Sequence, residues 1–297
     1  MILANPIYDS VFKYLLDDNE VAKILISNIL DVKIDTLQLE PTEIILPVLK
    51  RDLTVFRIDF KATITLPTQE KQVILIEIQK AKLDTDILRF RKYLGSQYLN
   101  DNNTYPNEPN KAIPIYTIYF LGTSLAHAKN SPIINVNRQY IDNYSKEEIA
   151  EKEEFIECLT HNSIVIQIPL FKQFKRNRLE KLLAIFEAST RHEINVEEPE
   201  DEEFKKITRR LVLANADEKI RQEMNIEDEI FQELDNLDRK IAELEKREEE
   251  AKAREDEAKI SLKQMIQKMI ARNISLQEIA DDLGKSVAEI NQILNKY

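Results

Sequence analysis

The stretch Val73–Lys80, VILIEIQK, is an apolar run with the composition of a buried strand and one carboxylate, Glu77, at its centre. A buried carboxylate without a partner is costly, so such groups are normally paired, bound to a metal or kept at a wet surface. A second β-branched segment, Val55–Leu66, precedes it, and Pro67–Lys71 separates the two. Apolar segments joined by a short polar stretch predict a β-hairpin.

The midpoint of the hairpin tip, Thr68, sets the register that this hairpin is expected to adopt. On one face the register pairs apolar residues suited to a core, namely Ala62 with Ile74, Phe60 with Ile76 and Ile58 with Ile78, with Ile64 and Gln72 at the tip. On the other face it pairs Asp59 with Glu77. Two carboxylates directly opposite each other destabilise a sheet unless a cation lies between them. A divalent metal that prefers oxygen ligands, Mg²⁺ or Mn²⁺, would supply that cation.

A structural explanation of the same residues stands beside the metal. Arg57, Lys61 and Lys80 lie in or next to the two strands, and their charges would neutralise the acidic pair without any ion. A slip of one residue in the register would also separate Asp59 from Glu77.

Helical and strand patterns alternate along the first part of the chain. Helical spacing predicts helices at Ile7–Leu16, Glu20–Leu30, Thr85–Leu99, around Lys146–Thr160 and at Asn177–Ser189, and β-branched runs predict further strands at Ala112–Gly122 and Ser163–Leu170. On the third helix we expect Ile87, Phe90, Leu94 and Tyr98 to form the apolar face. Interleaved helices and strands predict one α/β domain over residues 1–195.

An acidic segment follows this domain. His192–Phe204 carries Pro199 and marks the expected boundary, and residues 196–265 are predicted to form an acidic helical arm. Of the net charge of −11, most lies between Glu197 and Lys259, where 23 Asp and Glu face 13 Lys and Arg. The rest of the chain is nearly neutral and free to bind a polyanion. Leu234, Leu237, Ile241 and Leu244 follow coiled-coil spacing, so the arm is interpreted either as a dimerising coiled coil or as a solvated helix.

The last residues, 266–297, predict a small helical tail. Two capping boxes, Ser275-x-x-Glu278 and Ser286-x-x-Glu289, begin short helices, and Gly284 ends the first of them. This outline is that of a helix-turn-helix, although the second helix offers Lys296 as its only base. The tail is therefore interpreted as a packing or protein-contact module, with DNA binding as the alternative.

Several motifs in order resemble the PD-(D/E)XK nucleases, and more narrowly their recombination-promoting nuclease and transposase-like branch. They are Asp9-x-x-Phe12-Lys13, Asp59 followed by Glu77-Ile78-Gln79, Arg89-x-x-x-Tyr93, IPIYTIYFL at Ile113–Leu121, the strand and basic helix of Ile164–Ile185, and the tail sequence NISLQEIADDLGKSVAEI. The resemblance covers roughly Met1–Ala188 and the tail. It implies a restriction-endonuclease-like core, a mixed central sheet flanked by helices, and a role in bacterial recombination, mobile elements or defence.

The resemblance also implies a set of site residues. Asp59 and Glu77 would hold Mg²⁺ or Mn²⁺, with the carbonyl of Ile78 as a further ligand. Gln79 stands where the commoner motif has Lys, and it offers hydrogen bonds but no positive charge. Asp9 would lie near the metal; local rules explain it equally as a helix-start residue paired with Lys13.

DNA contacts are expected from two basic groups and one aromatic ring. The first group is Lys82, Arg89 and Lys92 together with Tyr93, and the second includes Lys175 and Arg176. Positive charge and an aromatic ring suit phosphate and sugar or base contacts. A solvated helix flank with Tyr93 half packed explains the same residues without DNA.

Together these expectations predict that the protein is a metal-dependent DNA endonuclease. It is expected to be a cytoplasmic homo-oligomer with no organic cofactor and no membrane segment. No glycine-rich phosphate loop, signal peptide or membrane-length apolar run is apparent in the sequence. Two alternatives remain: a nuclease-fold DNA-binding module that no longer cuts, and a coiled-coil assembly protein.

Overall fold

A computed structural model describes residues 1–40, 60–79, 86–189 and 191–296 of the chain. It divides into two compact units, an N-terminal unit (Met1–Asp228) and a C-terminal unit (Glu229–Tyr297). Asp59, Lys82 and the segments around them lie outside the described residues. Across the described residues, no helix combines the length and apolar character that crossing a bilayer requires.

The strands belong mostly to one sheet. They are β1 (Ile2–Ala4), β2 (Thr36–Glu40), β3 (Phe60–Thr65), β4 (Lys71–Gln79), β5 (Thr104–Tyr105), β6 (Glu108–Ala112), β7 (Ile115–Leu121), β8 (Ile133–Val136), β9 (Asn162–Gln167) and β10 (Glu193–Asn195). In the described part of the chain the main sheet has the order β2-β3-β4-β7-β9-β8. β4, β7 and β9 run parallel and the outer pairings are antiparallel, so this is a mixed sheet.

Helices flank the sheet and form the C-terminal unit. They are α1 (Asp9–Asp17), α2 (Asn19–Leu30), α3 (Asp86–Tyr98), α4 (Glu154–Leu159), α5 (Arg178–Leu183), α6 (Glu202–Ala216), α7 (Glu218–Ala271), α8 (Leu276–Leu283) and α9 (Val287–Lys296), with a 3₁₀ helix at Ile168–Lys172. The α/β class with a mixed central sheet is therefore confirmed.

The β3–β4 hairpin has the register expected from its sequence. Phe60 pairs with Ile76, Ala62 with Ile74 and Ile64 with Gln72. The pairs of Asp59 with Glu77 and of Ile58 with Ile78 lie outside the described residues. The turn is tight because the N–H of Leu66 donates to the carbonyl of Glu70 at 2.9 Å.

The main core lies on the face of the sheet that Ile74 and Ile76 share. There α1 packs through Phe12, whose ring meets Phe120 of β7 at 5.7 Å and Phe186 at 6.1 Å. Residues two apart in a strand point to the same side, which explains why the apolar face expected for the hairpin is the one that meets the main core.

A smaller core covers the opposite face, beneath α3. Val73 and Leu75 meet Phe90 and Tyr93 there. The apolar face expected for this helix is only partly correct, because Ile87 is 55% exposed and Tyr98 is also exposed. The helix turns Phe90, Tyr93 and Gln97 inward instead, at spacings of three and four residues, because that stripe meets the apolar strands below it.

The N-terminal unit extends past the boundary expected near residue 195. β10 pairs with β1 at the other end of the unit, and α6 then packs against β1, α1 and α2. Phe204, Ile207 and Leu211 of α6 are buried in the main core. The acidic segment around Pro199 is therefore a connection inside this unit, and the described division falls after Asp228.

Between β8 and β9 the structure has less helix than the sequence pattern indicates. Only Glu154–Leu159 is helical within the segment 146–160, while Asp142 closes a turn by accepting the N–H groups of Tyr144 and Ser145. Arg138 crosses this segment and donates to the carbonyls of Ile156, Glu157 and Thr160. β8 itself was not anticipated.

The C-terminal unit has a small core where the end of α7 meets α8 and α9. Ile266, Ile279, Ala280 and Ile290 are buried in it. Both expected capping boxes form: Ser275 and Glu278 bond reciprocally, as do Ser286 and Glu289. Gly284 ends α8 with φ of 61°. The tail therefore packs as expected, and its role in DNA contact stays a prediction.

The two glycines Gly284 and Gly95 should respond to alanine in opposite directions. The backbone of Gly284 has a left-handed conformation, which is unfavourable for a residue with a Cβ atom. Gly284→Ala should therefore destabilise the C-terminal unit by about 1–2 kcal/mol. Gly95 is an exposed residue of α3 with open space at its Cβ position, so Gly95→Ala should stabilise the N-terminal unit by about 0.5–1 kcal/mol. Urea denaturation with peptide-resolved hydrogen exchange measures both. Equal effects of the two substitutions would contradict the assigned backbone conformations.

Candidate metal and nucleic-acid site

Glu77 lies in the middle of the main sheet. β4 pairs with β3 on one side and with β7 on the other, and Glu77 is 1% exposed. By strand parity its side chain shares a face with Val73 and Leu75, beneath α3. The expected buried strand with a central carboxylate is therefore present, in a place where a charge requires compensation.

Tyr119 is the partner of Glu77 in the parallel β4–β7 register. Its ring meets Phe90 of α3 at 4.5 Å, which places the phenol under the helix. Burial raises the pKa of Tyr119 to about 12; a hydrogen bond with Thr117 acts in the opposite direction, and the charge of Glu77 raises the pKa further. Tyr119 is thus a neutral polar neighbour of the carboxylate, which the sequence reasoning did not single out.

Lys61 is a cation of the hairpin on the same face as Glu77. It pairs with Leu75, two residues before Glu77 in β4, and is 2% exposed. A buried lysine beside a buried carboxylate supports the structural explanation of the charge cluster, in which basic side chains balance the acidic pair. Arg57 and Lys80 lie outside the described residues.

The expected metal ligands are only partly described. Among the described residues, no group of three or more His, Cys, Asp or Glu side chains is placed to hold a metal ion. Asp59, the expected second carboxylate, lies outside that part of the chain. Gln79 ends β4, and Ile78 lies in the sheet with its side chain toward the main core. The roles of the Ile78 carbonyl and of Gln79 stay predictions.

Asp9 begins α1, on the other side of the sheet. α1 packs against the main core, the face opposite the one that carries Glu77, and Asp9 forms an ion pair with Lys13 at 2.5 Å. The structure therefore does not bring Asp9 and Glu77 onto one face. The i,i+4 pair is the local explanation considered for Asp9 in the sequence.

The start of α1 is held by residues far along the chain. Glu227 of α7 accepts the backbone N–H groups of Asp9 and Ser10, both at 2.9 Å. Its neighbour Asp228 accepts the Tyr8 hydroxyl at 2.9 Å and lies 2.7 Å from His192 Nε2. Burial raises the pKa of Glu227, while its hydrogen bonds with Ser10 act in the opposite direction. Sequence reasoning missed this cluster because its members are about 200 residues apart.

The expected DNA contacts divide into accessible and inaccessible groups. Tyr93 is 2% exposed and packs with Phe90. Its ring faces the sheet, so the expectation that it stacks on a base is wrong.

Arg176 donates to the buried Glu180 at 2.6 and 2.9 Å, so its charge is paired within the domain. Lys175 is exposed. Arg89 and Lys92 belong to α3, and Lys82 lies outside the described residues.

Comparison with protein-family models, with curated proteins and with solved structures finds no match.

The titration of Tyr119 should depend on Glu77. Glu77→Gln removes a negative charge beside the phenol, so the pKa of Tyr119 should fall below its wild-type value of about 12. Spectrophotometric titration measures this, with Tyr119→Phe identifying the signal and Glu70→Gln, at the exposed hairpin turn, as the control. An unchanged Tyr119 pKa in Glu77→Gln would contradict the proximity of the two groups.

The free energy of unfolding should depend on pH through Tyr119. The pKa of Tyr119 in the folded chain lies above the ordinary value of 10, so its contribution is complete below pH 10 and is lost as the pH rises toward about 12. Tyr119→Phe should therefore lose less stability over this range than the wild type. Chemical denaturation at several pH values measures the difference.

Proposed function

We propose that this chain is a divalent-metal-dependent DNA endonuclease that hydrolyses phosphodiester bonds. The observation that carries the proposal is the β3–β4 register, which holds for every described pair and leaves Glu77 buried at the centre of the sheet. Continued by one residue, the sequence-based register assigns Asp59 as the partner of Glu77. The resemblance to the PD-(D/E)XK nucleases supplies the chemistry for such a pair.

The two carboxylates would act together on one cation. Asp59 and Glu77 offer oxygen ligands, which Mg²⁺ and Mn²⁺ prefer, and the Ile78 carbonyl would add a third. When bound, the ion would lower the pKa of a water molecule and offset negative charge on the scissile phosphate. The protein's own part would be to hold Glu77 in place on the sheet beneath α3.

Gln79 limits the rate that this site would reach. An amide orients a water molecule by hydrogen bonds but does not stabilise a developing negative charge as lysine does. We therefore expect slow cleavage relative to a site with lysine there. The alternative that follows is a DNA-binding module without cleavage.

A nicking assay separates these functions. Wild-type protein should nick supercoiled plasmid with Mn²⁺ or Mg²⁺ and not with EDTA. Glu77→Gln and Asp59→Asn should each lower the rate on the order of 100-fold or more, because each would remove a ligand of the ion. Glu70→Gln, on the same hairpin and exposed, is the matched control and should nick at the wild-type rate.

The outcomes have distinct meanings. Binding of the plasmid without nicking by wild-type protein would favour the binding module. Equal nicking by wild-type and Glu77→Gln protein would contradict the assignment of this carboxylate to catalysis. Circular dichroism of each variant establishes that the fold is retained.

We also propose that α7 mediates self-association, with a second copy of this chain as the partner. Leu237, Ile241 and Leu244 are exposed at coiled-coil spacing, and Leu244 is 63% exposed. Lys252 and Lys259 pair with glutamates four residues earlier, which supports a solvated helix farther along. Self-association would therefore use the stripe Leu237–Leu244 and would not require the segment Glu248–Lys259 that follows it.

Mutation of this stripe tests the proposal. Leu237, Ile241 and Leu244, all changed to Gln, should shift the mass measured by light scattering from dimer to monomer, because the apolar contact is lost. Glu248, Glu249 and Glu250, all changed to Gln, are the control on the same helix and should leave the mass unchanged. A wild-type monomer at all concentrations would refute the dimer and leave the solvated helix.

A further inference from the structure

A cleft of about 890 Å³ lies within the N-terminal unit, between the basic segment that includes α5 and the acidic segment before α6. Its floor is apolar and includes Phe171, Leu182 and Phe186. Three lysines and three glutamates are among its lining residues: Lys172, Lys175 and Lys181 come from the basic segment, and Glu197, Glu198 and Glu200 from the acidic segment. We refer to these as the basic rim and the acidic rim.

An arginine–carboxylate pair fixes the two rims at one end. Arg178 donates to Asp201 through Nε at 2.8 Å and through Nη2 at 3.1 Å, and Nη2 also donates to Glu203 at 2.5 Å. Asp201 in turn caps α6 by accepting the N–H groups of Glu203 and Phe204. This forked geometry is the one that arginine also makes with phosphate. One basic group of the segment is thus already occupied by a carboxylate.

The lysines and glutamates of the two rims do not form an arginine–carboxylate pair of this kind. Lys175 and Lys181 are exposed, and within the described residues neither forms an ion pair. The three glutamates of the acidic rim are likewise exposed and form no ion pair in the described part of the chain. Lys172 lies 3.6 Å from Glu187 and is partly balanced by it. The free positive charge of the cleft is therefore that of Lys175 and Lys181.

Charges on opposite rims influence a ligand between them. The Debye length is about 10 Å at 0.1 M salt, so opposing rims of a cleft interact at low and moderate ionic strength. A phosphodiester backbone would be attracted by the basic rim and repelled by the acidic rim. The acidic rim belongs to the same compact unit, so it is always close to the cleft.

We propose that the basic rim binds the DNA phosphate backbone and that the acidic rim is an intramolecular competitor that weakens this binding. DNA as the ligand rests on the proposed function; the competition rests on the placement of the two rims in one cleft. Such a device would restrain a nuclease until a local cation or a partner neutralises the glutamates. It confines the inhibitory charge to three residues.

The affinity for DNA tests the proposal directly. A labelled DNA duplex is titrated in EDTA, where cleavage cannot interfere, and its anisotropy is followed at several salt concentrations. The variant with Glu197, Glu198 and Glu200 all changed to Gln should bind roughly 5–10-fold more tightly at low salt. Its dependence of log Kd on log salt should steepen by about one to two, because two lysines become available to phosphates.

Two further variants make the result specific. Glu248, Glu249 and Glu250 changed to Gln alter the net charge equally but lie on α7 outside the cleft, and should change Kd less than about 2-fold. Adding Lys175→Gln and Lys181→Gln to the cleft variant should abolish its gain. Equal tightening by both triple variants, or a gain that survives loss of the two lysines, would overturn the proposal. Binding of oligolysine in place of the duplex would also overturn it and assign the cleft to a basic partner.

This test is independent of the nicking assay. If nicking fails while the affinity changes follow the expected pattern, the inference about the cleft stands and the endonuclease proposal falls. If nicking depends on Glu77 while the cleft variant binds DNA as the wild type does, the endonuclease stands and the competition is refuted.

Discussion

The antiparallel pairing of β3 with β4 decides which side chains of the hairpin meet the main core and which meet α3. Because strand side chains alternate, a shift of one residue would exchange the two sets and bring Lys61 and Glu77 to the main core. The observed register buries Ile74 and Ile76 against α1 and leaves the charged residues beneath α3. The placement of Lys61 and Glu77 on one face of the sheet depends on this pairing.

A carboxylate that is 1% exposed requires compensation, and two explanations compete for Glu77. In one, a divalent cation shared with Asp59 balances the charge. In the other, Lys61 on the same face balances it, with Tyr119 as a neutral polar neighbour. The first makes the sheet a catalytic scaffold, and the second makes the cluster a structural ion pair. The nuclease proposal depends on the first.

The features that sequence predicted well are those fixed by local chemistry. The hairpin register follows from alternation and a short turn, and the capping boxes at Ser275 and Ser286 bond residues three apart. The features that the sequence did not reveal depend on residues far apart in the chain. Tyr93 was placed on the wrong face of α3 because periodicity does not reveal which strands lie beneath the helix. The pairing of β10 with β1 carries the N-terminal unit past Pro199, and the bond from Asp9 to Glu227 spans 218 residues.

The most direct test of the central claim is a crystal soaked with Mn²⁺ and measured by anomalous scattering. The account predicts a peak at coordinating distance from the carboxylates of both Glu77 and Asp59, and its loss in Glu77→Gln. A soaked crystal with no anomalous peak there, and with the Lys61 ammonium in contact with Glu77 instead, would contradict the metal site and with it the proposed catalysis.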